Sequence, residues 1–349
     1  LILHTMRFFF TGLIILFASQ VMIAQNLDFS IDKLSPGIND YTIQLADKNE
    51  KSTLPVRIIK GENKGPVFTI IAGVHGYEYP PIIAVQQLMN EIDYKKLKGT
   101  LVILPIANTA AFSGRSVFYN PIDGKNLNTT FPGKQNGTIT EQIAYEITNK
   151  IIPISDVFLD IHAGDASEDL ISFICFYNAE NFPKQTAEAK RLSELGGFEN
   201  VVSYPYTLKQ NEPALYAFKQ AVQDGKVALS IESGKLGNVQ DEAVKEIKNS
   251  VYLMLNNLAI YKKENLVQPS KINNFTKQSY IKTDVKGFFY SDLKAGDKIT
   301  EGQTVGYVTD FFGNKIKDIK SNASGIILYK IGTPPVNPNE TIFCIASNN

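Results

Sequence analysis

Ile71 to Tyr79 reads I-A-G-V-H-G-Y-E-Y and overlaps the end of a continuous apolar, β-branched run, Val67 to Ala72, V-F-T-I-I-A. Such a run is expected of a strand buried on both faces, and Gly73 and Gly76 then break the pattern. The strand therefore delivers His75 and Glu78 to a loop at its end. His-x-x-Glu brings an imidazole nitrogen and a carboxylate oxygen within reach of one small divalent cation, and zinc accepts both ligand types.

Histidine is scarce in this chain, with only His4, His75 and His162. His162 ends a second apolar run, Val157 to Ile161, and a glycine again follows, in D-I-H-A-G. Two histidines and a glutamate on strand-end loops supply three protein ligands and leave a fourth position for water, the arrangement of a catalytic rather than a structural zinc. The other reading of these residues is two histidines bonded to nearby backbone. Asp160 lies two residues before His162, so on a strand it shares that face. It is placed either to orient the imidazole or to bond backbone.

G-V-H-G-Y-E at 73–78, D-I-H-A-G at 160–164 and I-E-S-G at 231–234 occur in that order. Together they resemble the succinylglutamate desuccinylase/aspartoacylase family, within the zinc carboxypeptidase superfamily, and the resemblance runs from about Ile58 to the C-terminus. It implies a zinc metallohydrolase acting on carbon-nitrogen amide bonds, ester bonds not excluded, with one Zn2+ per chain held by His75, Glu78 and His162. By the same resemblance Glu232 is the general base that takes a proton from the zinc-bound water and passes it to the leaving nitrogen. Arg115 matches the family arginine that polarises the scissile carbonyl, a role that needs a fixed cation. Asn128 matches the asparagine of an Asn-Arg pair that holds a substrate carboxylate. The next position departs from the pattern, because this chain has Thr129 where the family has arginine. A guanidinium grips a carboxylate through two charge-assisted hydrogen bonds and a threonine hydroxyl offers one neutral donor, so carboxylate selectivity is expected to be weak. Lys125 and Lys134 are the point charges that would stand in for it.

From the N-terminus, Leu1 to Thr5 precede Met6, which is the expected natural start. Arg7 leads into F-F-F-T-G-L-I-I-L-F, an apolar core short for a mature span, ending near Ala24 before Gln25. Residues 1–24 are therefore expected to be a signal peptide, placing the protein in a secreted or periplasmic setting without stable membrane insertion once the signal is removed. An uncleaved anchor is the alternative. Cys175 and Cys344 sit in apolar runs and are expected to be free, buried thiols. Lys plus Arg equals Asp plus Glu at 35 each, so no global charge points to nucleic acid or an anionic membrane.

Tyr41 to Leu45 and Leu54 to Ile59 read as paired strands. Pro80 and Pro81 suit the first turn of a helix whose apolar stripe includes Ile82, Val85 and Leu88. Alternation of buried runs with amphipathic stretches continues through Leu101 to Ala107, Glu141 to Ile151, Val157 to Ile161, Ser172 to Phe176 and Val227 to Ile231. The fold class is therefore α/β: a mixed, mainly parallel sheet with helices on both faces and the chemistry at strand ends, over a catalytic domain of residues 25–265. Asp123, Asp165, Glu168 and Asp169 are read as solvated loop charges.

A polar linker, K-K-E-N-L-V-Q-P-S-K-I-N-N, precedes short strands with glycine turns. Residues 275–349 are expected to form a small all-β barrel-sandwich domain whose halves resemble the half-barrel of biotinyl and lipoyl carriers. Lys315 and Lys317 lie where a carrier lysine would sit, but F-F-G-N-K-I-K-D does not match a modification signature. The expected role is to cap the active-site cleft. The expected partner is a small-molecule or short-peptide substrate, and the expected activity is deacylation of an N-acyl amino acid or related small amide. The alternatives are a carboxypeptidase-like peptidase acting on short or cell-wall peptides, and a non-catalytic binding protein on the same scaffold.

Overall fold

The computed structural model describes residues 23–24, 30–209 and 211–348. The expected signal segment, residues 1–24, lies outside them apart from a two-residue strand, β1 (Ile23–Ala24). Among the described residues no helix is long and apolar enough to cross a membrane.

The strands that follow are β2 (Gly37–Asp47), β3 (Glu50–Lys60) and β4 (Asn63–Ala72), and helix α1 (Tyr79–Glu91) comes next. Pro80 and Pro81 sit in the first turn of α1, where their missing N–H groups cost nothing. Then come β5 (Lys98–Leu104), α2 (Thr109–Ser113), α3 (Ile139–Glu146), β6 (Val157–His162), β7 (Glu168–Leu170), β8 (Phe173–Ala179), α4 (Pro183–Glu194), β9 (Asn200–Tyr206), α5 (Ala217–Gln223), β10 (Val227–Glu232), α6 (Asp241–Asn257) and β11 (Asn273–Phe275). The central sheet has ten strands in the order β1-β2-β3-β5-β4-β6-β10-β8-β9-β11. Its middle, β5-β4-β6-β10, is parallel, whereas β3 runs antiparallel to β5 and β8 antiparallel to β10. The fold is thus mixed α/β with a mainly parallel central sheet, as the alternation of buried runs and helices implied.

Side chains on each strand alternate between two cores. Leu229 and Ile231 of β10 and Ile174 and Phe176 of β8 join the core under α1, α4 and α6. Phe173 and Cys175 face the opposite core, which α3 and α5 cover. Ser230 and Glu232 share that second face, and so do Asp160 and His162 two residues apart on β6.

The remaining residues form strands only: β12 (Lys277–Lys282), β13 (Gly287–Tyr290), β14 (Lys298–Ile299), β15 (Thr304–Thr309), β16 (Lys315–Lys320), β17 (Gly325–Ile331), β18 (Pro335–Val336) and β19 (Thr341–Ser347). They make two antiparallel sheets, β12-β19-β17-β14 and β16-β15-β13-β18, around a core that includes Ile281, Phe289, Val308 and Phe343. Two connections bind this part to the rest. The linker before it ends in β11, which adds a strand to the central sheet beside β9. β7, from the loop after His162, pairs antiparallel with β17, setting Leu170 against Tyr329 and Glu168 against Ile331. Neither Cys175 nor Cys344 forms a disulfide, and both are buried.

Candidate active site

β4 and β6 run side by side, with Ala72 opposite Ile161, so both strands end at the same level. The loops beyond them carry His75 and Glu78 from one strand to meet His162 from the other. Gly76 makes the first loop feasible, since a Cβ there would lie 2.3 Å from the Ala111 carbonyl oxygen. Glu78 bridges the two histidines, with Oε1 2.5 Å from His75 Nδ1 and Oε2 2.9 Å from His162 Nδ1. One ligand atom from each of the three lies within 4.8 Å of the others, and all three residues are buried, at 8, 3 and 5 % exposure for His75, Glu78 and His162.

These residues fit a divalent metal ion. Two imidazole nitrogens and a carboxylate oxygen converge, and each ring is steered by its other nitrogen, as metal-bound histidine requires. His162 Nε2 stands 3.0 Å from Asp160 Oδ1. His75 Nε2 stands 3.2 Å from Asn126 Oδ1, which also accepts the Asn128 N–H at 2.8 Å. The Phe118 ring meets His75 edge-on at 5.7 Å. Burial works against charge at His162, but the Asp160 and Glu78 carboxylates overcome it and hold the imidazole's proton affinity well above normal. Burial opposes ionisation of Glu78 too, and there His162 and His75 prevail and pull the carboxyl down.

Glu232 pairs in register with His162 across β10 and β6. Burial, with Glu78, Glu168 and Asp160 nearby, raises its pKa well above the usual carboxylate value despite His162. A carboxylate with raised proton affinity beside such a triad has the properties of a proton shuttle. The strand-end loops are tied together, since the Ser233 N–H donates to the His162 carbonyl and the Gly164 N–H to the Gly234 carbonyl.

The group opens into a cavity of about 340 Å³ that Asn128 also lines. One side of its wall is aromatic, from Tyr177, Tyr204, Tyr216, Phe218, Tyr280 and Tyr329, the last two lying on β12 and β17. Asn128 Oδ1 is buried there without a hydrogen-bond partner among the described residues.

Arg115 and Thr129 are not brought to this cavity. Arg115 is exposed, in left-handed backbone at φ 48°, where its N–H closes the end of α2 on the Phe112 carbonyl. Its guanidinium has no partner among the described residues. Thr129 is exposed and its hydroxyl donates to the Asn126 carbonyl at 3.0 Å, completing its own tight turn. Lys125 and Lys134 both pair with Glu141, at 3.0 and 3.1 Å, which removes them as substitutes for the family arginine.

The four acids read as solvated loop charges are corrected. Asp123 accepts both the Thr140 N–H and its hydroxyl at the start of α3. Asp169 is buried against Lys235 Nζ at 2.7 Å. Asp165 and Glu168 line the cavity, and burial, then Asp165 and Glu78, push the Glu168 carboxyl up to about 8. Sequence reasoning missed Asn126 as well. Its only signal was its place two residues before Asn128 in K-N-L-N.

A family model for the succinylglutamate desuccinylase/aspartoacylase catalytic domain matches residues 64–258. The N-alpha-acetyl-L-2,4-diaminobutyric acid deacetylase of Halomonas elongata is 28% identical over 337 residues, covering 93% of this chain and 94% of that one. Among solved structures, a succinylglutamate desuccinylase/aspartoacylase from Rhodobacter sphaeroides superposes with a TM-score of 0.81 at 21% identity, over 94% of this chain and 99% of the other. The product-bound ectoine utilization protein EutE (DoeB) from Ruegeria pomeroyi also gives 0.81 at 21% identity, over 90% and 96%. These two likenesses concern the fold. The family model covers more than half of the sequence and spans all three motifs, so the chain belongs to the succinylglutamate desuccinylase/aspartoacylase family.

Proposed function

We propose that the chain is a zinc-dependent hydrolase that removes the acyl group from an N-acyl amino acid or a related small amide. One observation carries this reading: the buried convergence of His75, Glu78 and His162, with Glu232 in register beside His162 on the same sheet face. Family membership and the deacetylase name of the Halomonas relative support amide chemistry. When bound at the three ligands, zinc supplies an electrophile that polarises a carbonyl and acidifies water.

Glu232 accepts a proton from the attacking water and later delivers it to the leaving nitrogen. The water oxygen bonds to the carbonyl carbon, the carbon-nitrogen bond breaks with its electron pair leaving on nitrogen, and a carboxylate and an amine result. Asp160 and Asn126 hold the two imidazoles in the orientation that presents Nδ1. Arg115, exposed on its loop, takes no part in this account. Residues 25–265 form the catalytic domain of the proposal, and the barrel-sandwich module of 275–349 limits what enters through Tyr280 and Tyr329.

The test is release of free amine from a panel of N-acyl amino acids, N-acyl amines and short peptides, using zinc-loaded chain from Gln25. Turnover is expected from small N-acyl compounds, with a fall on the order of 10²–10⁴-fold in Glu232→Ala at unchanged zinc content. Zinc uptake with no turnover across the panel would instead support a binding protein on this scaffold.

A further inference from the structure

The outer face of the sheet β16-β15-β13-β18 is aromatic and exposed. Phe288 and Tyr290 stand exposed on one face of β13, and Tyr290 stacks on Tyr307 of the neighbouring β15 at 5.2 Å. The hairpin between β15 and β16 extends this surface beyond the strands, because Phe311 meets Phe288 edge-on at 5.8 Å. Phe311 is 70 % exposed and Phe312 92 %, the latter more than any other large apolar side chain among the described residues. The turn that displays them is fixed. Asp310 Oδ1 accepts the Phe312 and Asn314 N–H groups and Oδ2 accepts the Asn314 amide, each at 2.9 Å, and Gly313 supplies the left-handed residue at φ 85°. A rigid tip loses little entropy on binding, so these rings are pre-organised for a partner.

The five rings leave about 600 Å² uncovered, taking roughly 200 Å² for a whole aromatic side chain. Single exposed apolar residues need no explanation, but a continuous patch of this size does. It approaches the roughly 800 Å² that each partner gives to a stable interface, and a polar rim supplies the rest. The rim decides the partner. Lys315 pairs with Asp318 and Lys317 with Asp284, while Lys286, over the Phe311 ring, is matched by Asp310 in the turn. These lysines and aspartates balance, so the surface neither repels a copy of itself nor draws an anionic bilayer. Edge pairing is disfavoured. β16 is an outer strand, but Lys315, Lys317 and Lys320 and its register shifts against β15 mark a protected edge. Two copies therefore meet face to face.

We propose that this face is a dimer interface between two copies of the chain related by a two-fold axis, in which the Phe311 and Phe312 tip of each covers the Tyr290 and Tyr307 stack of the other. The interface and the active-site mouth lie on opposite sides of the module. Phe289 and Val308 turn inward from this sheet to the core that holds Phe343, whereas Tyr280, Tyr329 and Cys344 leave the other sheet on its far face, towards the cavity. Pairing therefore leaves the mouth open.

Sedimentation velocity on the zinc-loaded protein should show monomer and dimer in exchange at micromolar concentration. Phe312→Ser, and separately Tyr307→Ser, should each weaken dimerisation by on the order of tenfold or more. The chain contains no tryptophan, so Phe312→Trp places a lone reporter at the tip. Its emission should move to shorter wavelength as concentration raises the dimer fraction, and should not respond to phosphatidylcholine/phosphatidylglycerol vesicles added to dilute monomer. Monomer at every concentration would overturn the proposal, and so would a dimer that both serine variants leave intact. Emission that shifts with vesicles would overturn it in favour of a lipid surface. Emission already at short wavelength in dilute monomer would overturn it by showing that another part of the chain covers the tip.

Discussion

His162 is held from both sides, by Glu78 at Nδ1 and Asp160 at Nε2, and Asp160 has no other polar contact among the described residues. Loss of the Asp160 charge should therefore loosen the ring rather than the fold. Asp160→Asn is expected to weaken zinc binding by about 10–100-fold in competition with a chelating indicator, with the circular dichroism spectrum unchanged. Unaltered affinity would show that Asp160 serves packing alone. Glu168 allows a prediction about pH in the metal-free protein. Its folded pKa of about 8 lies above the ordinary value of 4.5, so the stability it contributes is complete below pH 4.5 and is lost as pH rises towards 8. Glu168→Gln should thus gain thermal stability relative to wild type across that window and gain nothing at lower pH. His75, Glu78, His162 and Glu232 were legible because each ends or follows a buried run that a glycine interrupts. Asp165 and Glu168 were not, because nothing local buries them. β17, some 160 residues on in the sequence, pairs with the end of their loop from Glu168 to Leu170. Arg115 and Thr129 show the converse: a matching motif position says nothing about whether the local turn points the side chain inward.

At the scale of elements, the buried strands and the proline-started helix were readable because period and length distinguish them, as β4, β6, β10 and α1 show. Strands of three residues carry no period, so β7 and β11 were invisible, although they fasten the two halves of the chain. Asn273 to Phe275 read instead as the end of a linker and the start of the next module. The glycine that was read as a strand break has a more specific function. A Cβ on Gly76 would meet the Ala111 carbonyl carbon and oxygen and the Ser116 carbonyl oxygen at 2.3–2.5 Å, all of them backbone. Gly76→Ala must therefore push the His75 loop away from α2. It is expected to destabilise the protein by about 1–3 kcal/mol in chemical denaturation and to weaken zinc binding in the same protein. Full stability with full zinc affinity would mean that the two loops separate freely, and that this close approach does not hold the ligands.

The whole molecule places a small β module beside the central sheet, and the two share a core: Leu328, Cys344 and Ala346 pack into the same cluster as Phe173, Val202 and Phe218. The module is thereby part of the cavity wall, and Tyr280 and Tyr329 reach the space above His162 from outside the central sheet. That space, about 340 Å³, is near the lower end of the roughly 300–1,000 Å³ typical of small-molecule pockets. It suits an acyl group with a short amine and leaves little room for a chain continuing in either direction. The same wall therefore separates the deacylase from the peptidase reading. Wild-type protein should hydrolyse N-acetylated small amines and leave N-acetyl tripeptides intact. Tyr280→Ala removes a partly exposed ring at the mouth with little loss of packing. It should raise kcat/KM for an N-acetyl dipeptide by about 10-fold, within the range that one altered pocket contact supplies, while metal content stays constant. Wild-type cleavage of the tripeptide at the rate of the small amides would show that the wall does not restrict entry, and peptides would then become the natural substrates to pursue.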